Sequence, residues 1–65
     1  MNIGMAIKIA LVKKGMKQHE LADKIGVSTV YISRICNKQN VGMNAVSKIA
    51  EALDMKVSDL VALGE

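Results

Sequence analysis

The sequence is poor in three residue types: it holds one cysteine, one aromatic residue and no proline. The single cysteine, Cys36, excludes a disulfide within the chain, and no Cys/His cluster has the spacing of metal ligands. Because Tyr31 is the only aromatic residue, the core must be built from Ile, Leu, Val, Ala and Met. These absences predict a cytoplasmic domain without a bound metal, stabilised by aliphatic packing.

The sequence also lacks the features that are typical of membrane proteins and enzymes. No apolar run approaches the roughly 20 residues that a membrane-spanning helix needs, and the apolar N-terminus lacks the charged start and cleavage site of a signal peptide. The scattered glycines form no phosphate-binding loop. His19 and Asp23 are four residues apart, but no nucleophile accompanies them. We therefore expect no catalysis, cofactor, small-molecule ligand or membrane association.

Size and charge favour a small basic binding module. The 65 residues are expected to form a single domain, 1–65, near the lower size limit for folding without cross-links. The net charge is +3, but residues 1–40 hold seven basic and two acidic residues, whereas residues 41–65 hold two basic and four acidic ones. Such a basic half suits a phosphate backbone, because neutralised phosphates release counterions. A solvated lysine surface is the alternative interpretation.

Hydrophobic periodicity predicts five helices and no strand. Lys17, just before the second helix, is a poor N-cap and should cost on the order of 1 kcal/mol of local stability. The predicted helices cover approximately Ile3–Lys14, Gln18–Ile25, Thr29–Asn37, Met43–Leu53 and Val57–Leu63.

The second and third predicted helices are joined at a glycine. Gly26 is suited to end the second helix as a left-handed residue, and Ser28 can cap the third. The third helix offers Ile32 and Ile35 for burial. Its outer side carries small residues and an arginine, namely Thr29, Val30, Ser33 and Arg34. This arrangement is typical of a helix-turn-helix.

The residue string supports this interpretation. From Gln18 to Arg34 it reads Gln-x-x-Leu-Ala-x-x-Ile-Gly-Val-Ser-x-x-x-Ile-Ser-Arg, which resembles the phage Cro and repressor family, also called lambda-repressor-like or XRE. The resemblance extends upstream over residues 7–16 and downstream over residues 49–53 and 57–60. It implies an all-α, compact five-helix lambda-repressor-like fold in which helices 2 and 3 form the helix-turn-helix.

The resemblance also implies a sequence-specific regulator of transcription that binds double-stranded DNA, in a phage or a bacterium. Its recognition helix, residues 29–37, would lie in the major groove. Thr29, Val30 and Arg34 match positions that contact bases in related repressors, and Ser33 is a further candidate. Arg34 suits the O6 and N7 atoms of guanine, and Val30 suits a thymine methyl group.

Further polar side chains are expected to contact the DNA backbone. Gln18 begins the second helix, where free amides and the helix dipole favour a phosphate, and the family uses this glutamine for a backbone contact. The phenol of Tyr31 can reach a phosphate or a base, with simple packing of the ring as the alternative. The expected backbone contacts are Lys17, Gln18, Ser28, Tyr31, Asn37, Lys38 and Asn40.

Family members usually bind as two-fold dimers across inverted half-sites about one helical turn, ~34 Å, apart. The resemblance therefore implies a homodimeric, Cro-like repressor that occludes polymerase at its operator. The family most often dimerises through the C-terminal region, which favours Val57, Val61 and Leu63. The alternative or supplementary surface is an apolar stripe near the first helix, formed by Met5, Ile9, Val12 and Met16.

A different class of function stays open, namely a protein-interaction module such as an antitoxin or an adaptor that retains the fold and uses the apolar first helix. The polarity of the third helix distinguishes the two. Thr29, Ser33 and Arg34 suit base edges, whereas an adaptor should be more apolar there. Val30 and Tyr31 fit either interpretation.

Overall fold

The computed structural model describes residues 2–65, in which five α-helices alternate with short connections and no strand occurs. None of these helices has the length and apolar character needed to cross a membrane. The helices are α1 (Ile3–Lys14), α2 (Gln18–Ile25), α3 (Thr29–Cys36), α4 (Met43–Ala52) and α5 (Val57–Ala62).

The predicted five-helix, all-α fold is confirmed, with small differences at three helix ends. α3, α4 and α5 each end one residue before the predicted limit. There the chain tightens into turns whose bonds join residues three apart, such as Lys38 N–H to Ile35 C=O and Asp54 N–H to Glu51 C=O, both 3.1 Å. Helices commonly finish in this way because their last carbonyls have no partner within the helix.

An aliphatic core joins all five helices. No polar or charged side chain within residues 2–65 is buried, so burial of apolar surface is the main source of cohesion, at about 1.5–3 kcal/mol for each large side chain. The largest fully buried side chains are Ile7, Leu21, Ile32, Val46, Ile49, Leu53 and Leu60.

The thiol of Cys36 belongs to this core. Burial raises the pKa of Cys36, and the nearby ammonium group of Lys8 opposes that shift only in part. The thiol therefore stays protonated at neutral pH, where a thiolate would be the reactive form. Its role in the fold is packing.

The start of α1 is tied to the chain that follows α3. The N–H groups of Ile3 and Gly4 donate to the carbonyls of Gln39 and Lys38, each across 2.9 Å. These amides lie in the first turn of α1, where no partner exists within the helix. A Cβ atom on Gly4 would lie 2.6 Å from the Cys36 carbonyl oxygen and would also collide with that of Lys38. Only glycine permits this approach of two backbones.

The turn between α2 and α3 follows the predicted chemistry. Gly26 has a φ of 74°, in the left-handed region, and its N–H donates to the carbonyl of Ala22. The N–H of Val27 donates to the same carbonyl at 3.0 Å. The Ser28 hydroxyl oxygen accepts from the N–H of Tyr31 at 3.1 Å and so caps α3. These bonds set the direction in which α3 leaves α2.

α2 is capped by its own Glu20, and one lysine side chain bonds it to α4. Lys17 makes no side-chain cap bond, as expected, but its N–H donates to Oε1 of Glu20 at 3.0 Å. This bond supplies one half of a capping box; the reciprocal half is absent, because a lysine side chain has no acceptor. At the other end of α2, Nζ of Lys24 donates to the carbonyl of Ala52 at 3.1 Å, at the C-terminus of α4.

Gly4→Ala tests the backbone approach. Helix propensity alone would raise the free energy of unfolding by about 1 kcal/mol, but we expect a decrease of about 1–3 kcal/mol because the new Cβ atom forces α1 away from the end of α3. Urea denaturation followed by circular dichroism measures the change. Gly42→Ala is the control, since nothing lies within 4 Å of a Cβ there; a similar loss in both variants would contradict the steric explanation.

Candidate nucleic-acid interface

α3 presents one face to the core and the other to solvent. Ile32 and Ile35 are buried, and because α3 is held through them, its opposite face has a fixed orientation. Val30 is 67% exposed on that side. The four side chains expected to contact bases are all exposed and share this outer surface over two helical turns, namely Thr29, Val30, Ser33 and Arg34.

This outer surface combines three kinds of recognition chemistry. Arg34 offers a forked set of donors, and within residues 2–65 no hydrogen bond engages its guanidinium group. The hydroxyls of Thr29 and Ser33 each can donate or accept. Val30 adds exposed methyl groups. Donors, acceptors and an apolar group on one helix face match what the edges of base pairs display in the major groove.

The N-terminal ends of α2 and α3 carry three of the expected backbone contacts. Lys17 and Ser28 are exposed, and Gln18 is half-buried. The Ser28 oxygen accepts a bond from the Tyr31 amide, which leaves the hydroxyl hydrogen available to a phosphate. At the start of α2, however, the Glu20 carboxylate already accepts from the Lys17 amide. It therefore competes with any anion at that end.

Asn37 has a structural role that its position in the sequence does not reveal. Its Oδ1 accepts from Nζ of Lys8 at 3.2 Å, and its Nδ2 donates to the Ser33 carbonyl at 3.0 Å. The side chain thus closes the C-terminal end of α3 and bridges it to α1. The ammonium group of Lys8 also lies where the helix dipole favours a cation. Lys38 and Asn40, the other expected backbone contacts on this side, are exposed.

The ammonium group of Lys8 lies at the C-terminal end of α3, a position that was not predicted from the sequence. Lys8 lies 29 residues from Asn37, so no local pattern connects the two. Only the packing of α1 against the end of α3 brings the ammonium group to this position.

Tyr31 lies at the edge of a shallow groove between the helix-turn-helix and α4. Its side chain is 39% exposed, so the ring packs while part of it stays accessible. The groove is also lined by Ile25 and Val27 and, on α4, by Asn44 and Lys48. The position of Lys48 beside Tyr31 was also not predicted from the sequence. Its spacing of four residues from Asn44 indicates a shared helix face, but only the fold brings that face to Tyr31.

The side chains expected at a dimer interface lie apart from α3, at the C-terminal end of the chain. Val57, Val61 and Leu63 are half-buried and pack against the core. Part of their apolar surface is thus already buried within the chain. Dimerisation through these side chains stays a prediction. The large apolar side chains that the structure exposes lie elsewhere, namely Met5, Val12, Val27, Val30, Tyr31 and Met43.

Comparison with known families agrees with this geometry. A sequence model described as Helix-turn-helix matches residues 7–60, which extend from the first half of α1 to Leu60 in α5. The match includes every residue of α2, α3 and the turn between them. A comparison with curated proteins gives no match.

Two substitutions test the cap that begins α3. Ser28→Ala removes the acceptor for the Tyr31 amide and is expected to lower the free energy of unfolding by about 1 kcal/mol. Ser28→Asp keeps an acceptor and adds a favourable charge at the helix N-terminus, so its stability should stay near that of the original chain. Urea denaturation of the three proteins distinguishes these outcomes; equal losses in both variants would exclude a capping role.

Proposed function

Because the chain belongs to the phage Cro/repressor, or XRE, family of helix-turn-helix DNA-binding regulators, we propose that it is a Cro-like repressor that binds a specific operator. The observation that carries this proposal is the outer face of α3. That face is exposed, polar and cationic, and it is anchored from behind by Ile32 and Ile35. A short helix with this character is suited to the major groove.

Sequence preference would come from four side chains on α3. Arg34 would donate two bonds to guanine, while Thr29 and Ser33 would bond to base edges nearer the groove wall. Val30 would contact a thymine methyl group. Each good bidentate pair contributes about 1–3 kcal/mol of discrimination against the wrong base, so a single α3 reads only a short half-site.

Affinity would come mainly from the phosphate backbone, which positions the protein without choosing a sequence. Lys17 and Lys38 would supply charge, and the Ser28 hydroxyl would donate to a phosphate at the start of α3. Asn37 keeps one N–H beyond the bond to Ser33. Gln18, Tyr31 and Asn40 complete the proposed backbone contacts.

A homodimer would extend the short half-site to a useful length. Two copies related by a two-fold axis would place their α3 helices in successive major grooves, about 34 Å apart, on an inverted repeat. Val57, Val61 and Leu63 are the proposed interface. A dimer on such an operator would block polymerase sterically. Family members are DNA-binding regulators, and no catalytic step enters this proposal.

Selection of sites from a randomised duplex pool, at two salt concentrations, is the direct test of DNA recognition. We expect enrichment of an inverted repeat and a decrease in affinity with salt as phosphate contacts are screened. Weak, salt-sensitive binding without enrichment would contradict the repressor and favour the protein-interaction module.

Arg34→Ala and Lys38→Ala then separate base contacts from backbone contacts. On the selected operator, Arg34→Ala should lose about 1–3 kcal/mol of discrimination at one base pair. Lys38→Ala should weaken binding to all sequences alike and reduce the salt dependence by about one ion. Both are measured by fluorescence anisotropy with operator and scrambled duplexes. Equal losses of Arg34→Ala on the two duplexes would reassign Arg34 to the backbone.

Sedimentation equilibrium tests the dimer. The original chain is expected to self-associate in the micromolar range, and Val61→Lys should shift it to monomer. The reason is that an ammonium group at a closed apolar interface has no partner. Because Val61 also packs against the core, circular dichroism must first establish that the variant is folded. Lys56→Glu, a charge change on an exposed neighbouring side chain, serves as the control. A chain that is only monomeric at high micromolar concentration would contradict the dimer.

A further inference from the structure

α1 is apolar on its outer side as well as on the side that faces the core. Met5 is 52% exposed and Val12 is 80% exposed, while Ile9 between them is half-buried. Spacings of four and three residues align these side chains along the helix; they are termed the α1 stripe. A helix that is hydrophobic all round is normally covered on all sides. Within residues 2–65, nothing packs over Val12.

Lysines border the α1 stripe on both sides. Every charged residue of α1 is a lysine, and the first acidic residue of the chain is Glu20. At 100° per residue, Lys8 falls on one side of Met5 and Val12, and Lys13 falls on the other side, next to Ile9. Both lysines are exposed. The surface is therefore an apolar strip with one lysine on each side.

This charge pattern decides between the possible occupants. A second copy docked stripe to stripe would bring Lys8 and Lys13 of both chains together, and α1 has no acidic residue to offset their repulsion. Three aliphatic side chains without an aromatic residue also make a weak bilayer anchor, because surface helices insert large aromatic and leucine side chains. An amphipathic helix with acidic residues beside its apolar face can cover the apolar strip and pair with the lysines.

We propose that the α1 stripe docks an acidic amphipathic helix of a protein partner. Apolar anchors of that helix cover Met5, Ile9 and Val12, and its carboxylates pair with Lys13 on one border and Lys8 on the other. Lys8 donates one hydrogen to Asn37 and retains two others for a carboxylate. This docking adds a protein-binding surface on α1 to a chain whose proposed DNA contacts lie on α3, in the segments flanking it and at the start of α2.

The test uses a synthetic fluorescent helical peptide with leucines at i, i+3, i+4 and i+7 and glutamates on both flanks. We expect it to bind the full chain in the micromolar range, and a peptide with lysines in place of the glutamates not to bind. Val12→Ser and Lys13→Glu should each weaken binding at least about tenfold. Val30→Ser and Lys56→Glu are the matched controls, and both should leave peptide binding unchanged.

The same variants distinguish this proposal from DNA recognition. Val12→Ser should retain operator affinity while it loses the peptide, and Val30→Ser should show the reverse. Absent binding of the acidic peptide, or equal binding of both peptides, overturns the proposal. If sedimentation shows that Val12→Ser abolishes a dimer, a second copy is the occupant and the proposal is wrong. If the original chain binds phosphatidylserine vesicles and Val12→Ser, but not the control variants, abolishes that binding, a membrane is the occupant and the proposal is also wrong. If the chain binds the peptide but not DNA, the proposed repressor function is wrong and the proposed docking of a helix stands.

Discussion

The close backbone contact between the start of α1 and the end of α3 constrains the rest of the molecule. Ile3 and Gly4 use otherwise unpaired amides to hold the carbonyls of Lys38 and Gln39. α3 is thereby fixed at its C-terminal end, while Gly26 and Ser28 fix its N-terminal end. A helix of two turns has little intrinsic stability, so this double attachment is what gives α3 a defined direction.

The core keeps polar side chains at the surface, because it contains only apolar side chains. Since no polar or charged side chain of residues 2–65 is buried, neither an internal ion pair nor a buried hydrogen-bond network sets the packing. The hydroxyl and guanidinium groups of α3 are consequently all at the surface, where a ligand can reach them. Burial of apolar side chains stabilises the fold, and the helix caps fix the directions of the helices.

α1 connects the outer face of α3 with the α1 stripe. Its inner side forms a large part of the core, and Lys8 reaches from it to Asn37 at the end of α3. Its outer side is the α1 stripe. An inner apolar face is required for folding, but a second apolar face is not, because an exposed position on a helix of this length tolerates polar residues. The proposed partner helix would give this second apolar face a role in binding.

The helices and the turn between α2 and α3 could be predicted from the sequence, because their signals are local. A period of 3.6 residues marked the helices, Gly26 and Ser28 marked the turn, and the helix ends were correct to within one residue. The outward direction of Thr29, Val30, Ser33 and Arg34 followed from the same period. Three features arise only from the packing of the helices: the bridge from Lys8 to Asn37, the position of Lys48 near Tyr31, and the collision that requires Gly4. Each depends on residues more than a dozen positions apart, which sequence periodicity cannot relate because it describes one helix at a time.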